Sequence, residues 1–397
     1  MLWEARMSEH QSEQDVGVDS PATPSLLQRN RWLRRLMKFG FVVVGLFFFI
    51  LALRLLSKGA GGLGPFLTKT LGIENALNTL GFGWLFAYGV LSGSPVAGIA
   101  LSFLDSKVID PLQAFTMITG SRLGASFIVL VIGFIYFLRG REKAASLSIG
   151  VLALSVTATT YLPALAIGYW LLTDSGLDQV RIALPSAIFD FVEQVFDPIV
   201  AWLIRTIDSG IVNIFGTTPA TTGVLPATSV VIFVVGVGTL LFAFNLLDKA
   251  LPQVDAEHNA FGRVGGLIYR PWAMFLLGAF VTSLTLSVSV SLSILVPLSA
   301  RGFIRRENTL PYIMGANITT FIDTLIASLL IKDPFAFTVV LAEIISITVI
   351  SLIILVFLYR PYERLILRLL DRVVNDTPML VTFMVVMVVT PILLLFI

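Results

Sequence analysis

The chain has 397 residues, of which 56% are hydrophobic and only 13% charged, with a mean hydropathy of +0.90. A soluble domain carries about twice that share of charge. Apolar runs long enough to cross a bilayer recur throughout, so the fold class is an all-α polytopic membrane protein, not an outer-membrane barrel with short alternating strands. Cysteine is absent, which excludes disulfides, thiolate nucleophiles and Cys-based metal sites. The net charge of +2 says nothing about partners, because the basic residues are concentrated in loops.

Residues 1–38 read as a disordered, basic cytoplasmic tail: 1–28 are polar and lack an apolar period, and Arg29, Arg31, Arg34, Arg35 and Lys38 follow. That basic cluster directly precedes a first span at about 39–56 and favours an inside N-terminus. Residues 39–80 hold this span and an outer connection through the glycine-rich Gly59 to Gly64. Residues 81–138 hold apolar segments at 81–104 and 112–138, ending in a basic inside turn, Arg139 to Lys143. Within 139–271 come a span at about 147–172, an acidic outer stretch with an amphipathic helix over 187–206, a Thr/Pro-rich loop, a span at about 227–247 and a polar inside loop. Residues 272–331 hold segments at 273–298 and 309–331 joined by an inside connector with Arg301, Arg305 and Arg306. Residues 332–397 close the chain with spans at about 335–358 and 379–396 flanking a basic amphipathic stretch, Arg360 to Arg372. Trp32, Trp84, Trp170 and Trp272 stand near span ends as interface anchors, and His10 and His258 fall in loops.

The stretches 81–138 and 272–331 are related. A shift of 195 residues carries Gly120-Ser121-Arg122-Leu123 onto Gly315-Ala316-Asn317-Ile318, and without a gap carries Leu91-Ser92-Gly93-Ser94 onto Leu286-Ser287-Val288-Ser289. Loop charges orient the two copies oppositely, which predicts two inverted-topology repeats. Each would hold a re-entrant helical hairpin plus a discontinuous span, giving about seven full spans and two hairpins. Pro95, without an amide hydrogen, and Gly93, free in its backbone, suit a hairpin tip.

Hydroxyl, amide and charged groups at membrane depth mark a bundle interior or a cavity. The predicted solute-binding residues are Ser92, Gly93, Ser94, Ser121, Arg122, Ser287, Ser289, Asn317 and Thr319. The predicted ion-binding residues are Thr320, Asp323, Ser126 and Ser291. Broken helices offer freed carbonyls and hydroxyls to a cation and positive helix ends to an anion. A buried guanidinium at Arg122 suits a bidentate grip on an oxyanion. Two outcomes stay open for Arg122 and Asp323: they neutralise one another, or they touch the solute and the ion. For any single serine, a bond to the preceding helical turn or to a neighbouring helix outweighs contact with a ligand. No Walker loop, nucleophile–base constellation or metal-ligand spacing is present, so neither an enzyme nor a nucleotide-driven pump is expected.

These elements resemble the sodium–phosphate cotransporter family (type II, with its bacterial relatives). Its two inverted repeats each carry a Gln-Ser-Ser-Ser-like tip followed by a Gly-Ala-Asn-Ile-Gly-Thr-Thr-like element. Gly315-Ala316-Asn317-Ile318-Thr319-Thr320 matches with Thr319 in place of Gly, and Gly120 to Ser126 matches in outline with Arg122 in place of Asn. Leu91 and Leu286 stand where the family has Gln. The resemblance covers about 81–138 and 273–331. It implies a sodium-coupled symporter of inorganic phosphate or a similar small oxyanion in the plasma (inner) membrane. Sodium is then the coupling ion, with no cofactor; the partners are the anion, sodium and membrane lipid, with no nucleic acid and a homo-oligomer left open. The alternatives are transport of another anion or export on the same scaffold, or a non-transporting membrane scaffold that has lost the site.

Overall fold

The computed structural model describes residues 31–69, 72–138, 143–177, 185–215, 227–250, 270–300 and 304–397. The expectations for the tail before Arg31, the turn at 139–142, the segments at 178–184 and 216–226, the loop at 251–269, residues 301–303, and both histidines lie outside the described residues. The described residues form helices and no strand: α1 (Arg31–Lys69), α2 (Ala76–Val90), α3 (Gly93–Asp105), α4 (Pro111–Ala125), α5 (Phe127–Leu138), α6 (Lys143–Thr173), α7 (Ser186–Phe215), α8 (Ala227–Ala250), α9 (Pro271–Thr285), α10 (Val288–Ala300), α11 (Arg306–Thr319), α12 (Ile322–Leu330), α13 (Phe335–Ile353), α14 (Tyr359–Asn375) and α15 (Thr377–Leu395). A π-helical turn, Ile354–Leu358, joins α13 to α14. Among the described residues, seven helical stretches are long and apolar enough to span a membrane.

Two expectations near the start are corrected. Helix α1 begins at Arg31, inside the predicted tail, and continues through Gly59 to Gly64 without a break. The reason is its antiparallel contact with α8: Gly59 lies against the Phe233 backbone, Gly45 against Leu247, and Gly236 against Leu56. In lipid, where apolar surface alone does not drive helices together, small residues earn their place by letting backbones approach closely. Trp84 is a third correction, since it is buried inside the helix bundle and donates from Nε1 to Tyr88 Oη at 2.9 Å.

The two related stretches fold alike. In each, two short helices meet at a residue in the left-handed region, Leu91 (φ 55°) between α2 and α3 and Leu286 (φ 49°) between α9 and α10. The first helix of each pair then packs closely on the next one, α2 on α4 and α9 on α11. A Cβ added at Gly83 would overlap the Met117 carbonyl, and one at Gly278 the Tyr312 carbonyl. Likewise Gly120 abuts the Leu80 carbonyl and Gly315 that of Phe275, each contact recurring 195 residues on, as Gly120 does at Gly315. Gly124 abuts the Trp84 carbonyl, and at the equivalent position Thr319 instead donates to Ala279 O at 2.8 Å. The long helix of each unit is broken at matching places, near Ser126 between α4 and α5 and near Thr320–Phe321 between α11 and α12.

Further contacts fix the levels at which elements meet. Asn78, in the first turn of α2, donates from Nδ2 to Leu394 O (3.3 Å) and Leu395 O (3.1 Å) at the end of α15. Tyr88, near the other end of α2, donates to Met387 O at 2.9 Å, midway along α15. Lys107 pairs with Asp333, Lys332 pairs with Glu193 on α7, and Tyr359 Oη donates to Glu307 O at 3.3 Å. In α14 the face with Tyr362, Ile366, Leu370 and Val373 is buried, while Arg360, Arg364, Arg368 and Arg372, spaced four apart, are exposed.

Candidate functional site

The polar residues meet where the broken helices of both units approach α6. Arg122, on the last turn of α4, is 2% exposed. Its Nη1 donates to Ser94 Oγ (3.3 Å) on α3 and to Thr320 Oγ1 (3.2 Å) at the break of the second unit. Its Nη2 donates to Thr324 Oγ1 (2.5 Å) and stands 3.6 Å from Asp323 Oδ1, and its guanidinium lies 4.6 Å from the Phe321 ring centroid. Thr324 in turn donates to Asp323 Oδ1 from its hydroxyl at 2.9 Å. One guanidinium thus joins α3 of the first unit to the second unit's break through hydroxyls, with the carboxylate behind them. Arg122 Nε and Asp323 Oδ2 are buried without a hydrogen-bond partner among the described residues. Such atoms are rare in folded proteins and point to a ligand or a change of conformation.

A second polar set lies one turn away. Thr157 Oγ1 on α6 accepts from Ser126 Oγ (2.9 Å) and from Asn317 Nδ2 (3.2 Å), so α6 holds both units at once. Tyr161, also on α6, donates to Asn317 O at 2.9 Å. The second unit's tip reaches the first at Ala125, whose carbonyl lies 3.4 Å from Ser289 Oγ. The first unit's tip meets the same place, because Gly93 faces Ser121 O, the Ala125 Cβ and the Arg122 side chain too closely for a larger residue. Both tips therefore converge on the C-terminal end of α4.

Of the residues expected from the sequence, Ser94, Arg122, Thr320 and Asp323 come together, Gly93 adjoins them, and Ser126, Asn317 and Ser289 form the neighbouring shell. The others turn elsewhere. Ser121 donates to Ile118 O (2.7 Å), Thr319 joins α11 to α9, and Ser291 bonds Thr282 (2.7 Å) and Tyr312 (2.9 Å) within its own unit. Ser287 accepts from Val290 N at 3.3 Å, and Ser92 is the N-cap residue of α3 with no side-chain capping bond. Sequence reasoning missed Thr119, Thr157, Tyr161, Thr324 and Glu343. Glu343 was findable, as a lone carboxylate in the apolar run of α13, by the reasoning that picked out Asp323.

Apolar helices long enough to span a bilayer, wrapped around a buried cluster of paired charges and hydroxyls, are the general form of a polytopic membrane transporter. The family model described as Na+/Pi-cotransporter matches residues 239–370, from α8 through the whole second unit into α14. The match supports the chain's membership of the Na+/Pi-cotransporter family, a family of transporters and not of enzymes. The first unit, 81–138, lies outside the matched range. No match was found among curated proteins or among solved structures.

Proposed function

We propose that this chain is a secondary active transporter that moves phosphate, or a similar small oxyanion, in symport with sodium across the plasma (inner) membrane. The observation that carries the reading is Arg122, a buried guanidinium shared between the hairpin of one unit and the helix break of the other. Its free Nε offers a donor to an oxyanion. The free Oδ2 of Asp323, with Thr320 beside it, offers hard oxygen ligands to sodium.

The two units are inverted repeats on this reading, with the N-terminus inside and α2–α3 and α9–α10 as re-entrant hairpins. Contacts between distant elements support it. The loop charges assign Lys107, Glu193, Lys332 and Asp333 to the outer face, and these residues pair with one another. They assign Glu307 and Tyr359 to the inner face, and these two are bonded. Between Leu395 and Met387 helix α15 rises about 12 Å, roughly half the hydrocarbon thickness. Helix α2 is bonded to α15 at both these levels, which supports a tip near the midplane.

Leu91 and Leu286 occupy the left-handed positions at the two tips and carry no side-chain amide to donate to phosphate, which favours an oxyanion other than phosphate as a second reading. Uptake of labelled phosphate into proteoliposomes under an imposed inward sodium gradient tests the proposal, with competition by other oxyanions and by organic anions. Sodium-driven uptake is expected. Phosphate flux indifferent to sodium, with no competing anion carried in its place, overturns it.

A further inference from the structure

Glu343 lies mid-way along α13 and is 1% exposed. Its Oε1 and Thr119 Oγ1 are 2.5 Å apart, and its Oε2 has no partner among the described residues. Thr119 Oγ1 also stands 3.1 Å from Phe115 O, one turn back along α4. A threonine hydroxyl has one hydrogen. If Glu343 is ionised, that hydrogen serves either the carboxylate or the Phe115 carbonyl, and the buried carboxylate keeps at most one donor among the described residues, an arrangement that costs far more than a neutral acid there. A proton on Oε1 removes the conflict. Glu343 then donates to Thr119, Thr119 donates to Phe115, and the separation suits a short O–H···O bond.

The charge count around the site points the same way. The groups facing Glu343 from the packed elements are Arg122 on α4, one turn beyond Thr119, and Tyr161 on α6. Asp323 on α12 already faces Arg122. Helix α3 carries Asp105 at its far end, while α11 carries Arg306 and Glu307 in its first turn and has Tyr312 bonded to Ser291. One buried guanidinium thus stands against two buried carboxylates, and a neutral Glu343 leaves the Arg122–Asp323 pair balanced.

We propose that Glu343 is a proton-binding site, occupied as the neutral acid in this closed arrangement and dissociating to carboxylate and a free proton when the site opens to water. Resting on the transporter reading, this makes solute flux depend on pH through Glu343. Infrared difference spectra of the full chain in lipid nanodiscs test the proton directly. The wild type is expected to show the C=O stretch of a protonated carboxyl at neutral pH, and Glu343→Gln to lose it. Thr119→Val, which removes the hydroxyl but retains the acid, is expected to shift the band to higher frequency, and it serves as the test should Glu343→Gln fail to fold. A wild type without the band, or a band that neither substitution alters, overturns the proposal. In proteoliposomes the wild type is expected to lose uptake as pH is moved away from its optimum, and Glu343→Gln to flatten that profile; an unflattened profile overturns the link to flux. Sodium-driven uptake without the band removes the proton site and leaves the transporter reading intact, whereas the band without any uptake does the reverse.

Discussion

Arg122 Nη2 and Asp323 Oδ1 stand 3.6 Å apart, with the Thr324 hydroxyl accepting from the first and donating to the second. The two buried charges therefore meet through a hydroxyl, at a separation too long for a direct hydrogen bond. Of the two outcomes left open by the sequence, the residues facing one another is the one seen, and each also keeps a buried polar atom without a hydrogen-bond partner among the described residues.

Removing one charge of this pair strands the other. Asp323→Asn or Arg122→Gln alone is expected to destabilise the fold by about 3–5 kcal/mol, and the double substitution by less than the sum. Denaturant unfolding of the four proteins of the cycle in one detergent measures the coupling. Strict additivity would show that the pair is not a unit.

Helix approach gives a second prediction. Gly120→Ala and Gly315→Ala each push a methyl into a backbone carbonyl that cannot swing aside, so each is expected to cost about 1–3 kcal/mol. Gly89→Ala, on the exposed face of α2 with nothing within 4 Å, is the control and is expected to gain up to about 1 kcal/mol. Thermal unfolding of the three variants should rank them in that order.

Thr157 binds both halves to α6 by a single oxygen. Thr157→Val keeps the shape but takes the acceptor from the buried Asn317 Nδ2, at a cost of about 1–3 kcal/mol, while the Ser126 hydroxyl keeps the Arg122 carbonyl at 3.2 Å. Thr157→Ser, which keeps the acceptor, is expected to restore most of that loss in the same unfolding assay.

The Lys332–Glu193 pair gives a dependence on pH. The hydrogen bond from Lys332 holds the exposed Glu193 carboxyl below its ordinary value. A lowered folded-state value means that the contribution is complete above the unfolded carboxyl range and disappears as pH falls through the folded value. The difference in melting temperature between wild type and Lys332→Gln is therefore expected to be present at neutral pH, to vanish in acid, and to shrink in high salt, because the pair is exposed and screened. A difference that grows in acid contradicts the assignment.

Much of this architecture was legible in the chain. Seven spans, the turn after Leu91 and its twin after Leu286, and the 195-residue spacing from Gly120 to Gly315 all follow from hydropathy and local residue chemistry. Local reading left Gly59 to Gly64 open between a flexible and a close-packed connection, and contact with Phe233, on a helix far away in sequence, decides for close packing within a continuous α1. It failed at Trp84, because position along a span does not say which face a neighbour covers.

By itself, then, the sequence determined the membrane class, the stretches long and apolar enough to cross a bilayer, the pattern that recurs after 195 residues and the presence of costly polar groups within apolar helices, since each of these is a property of short stretches. Only the tertiary structure decided which polar groups meet: that Ser94 and Thr320 share Arg122, that Thr157 clasps both units, and that Glu343 finds Thr119. Those meetings depend on how helices distant in the chain rotate and pack against one another, and no periodicity along a single helix records that.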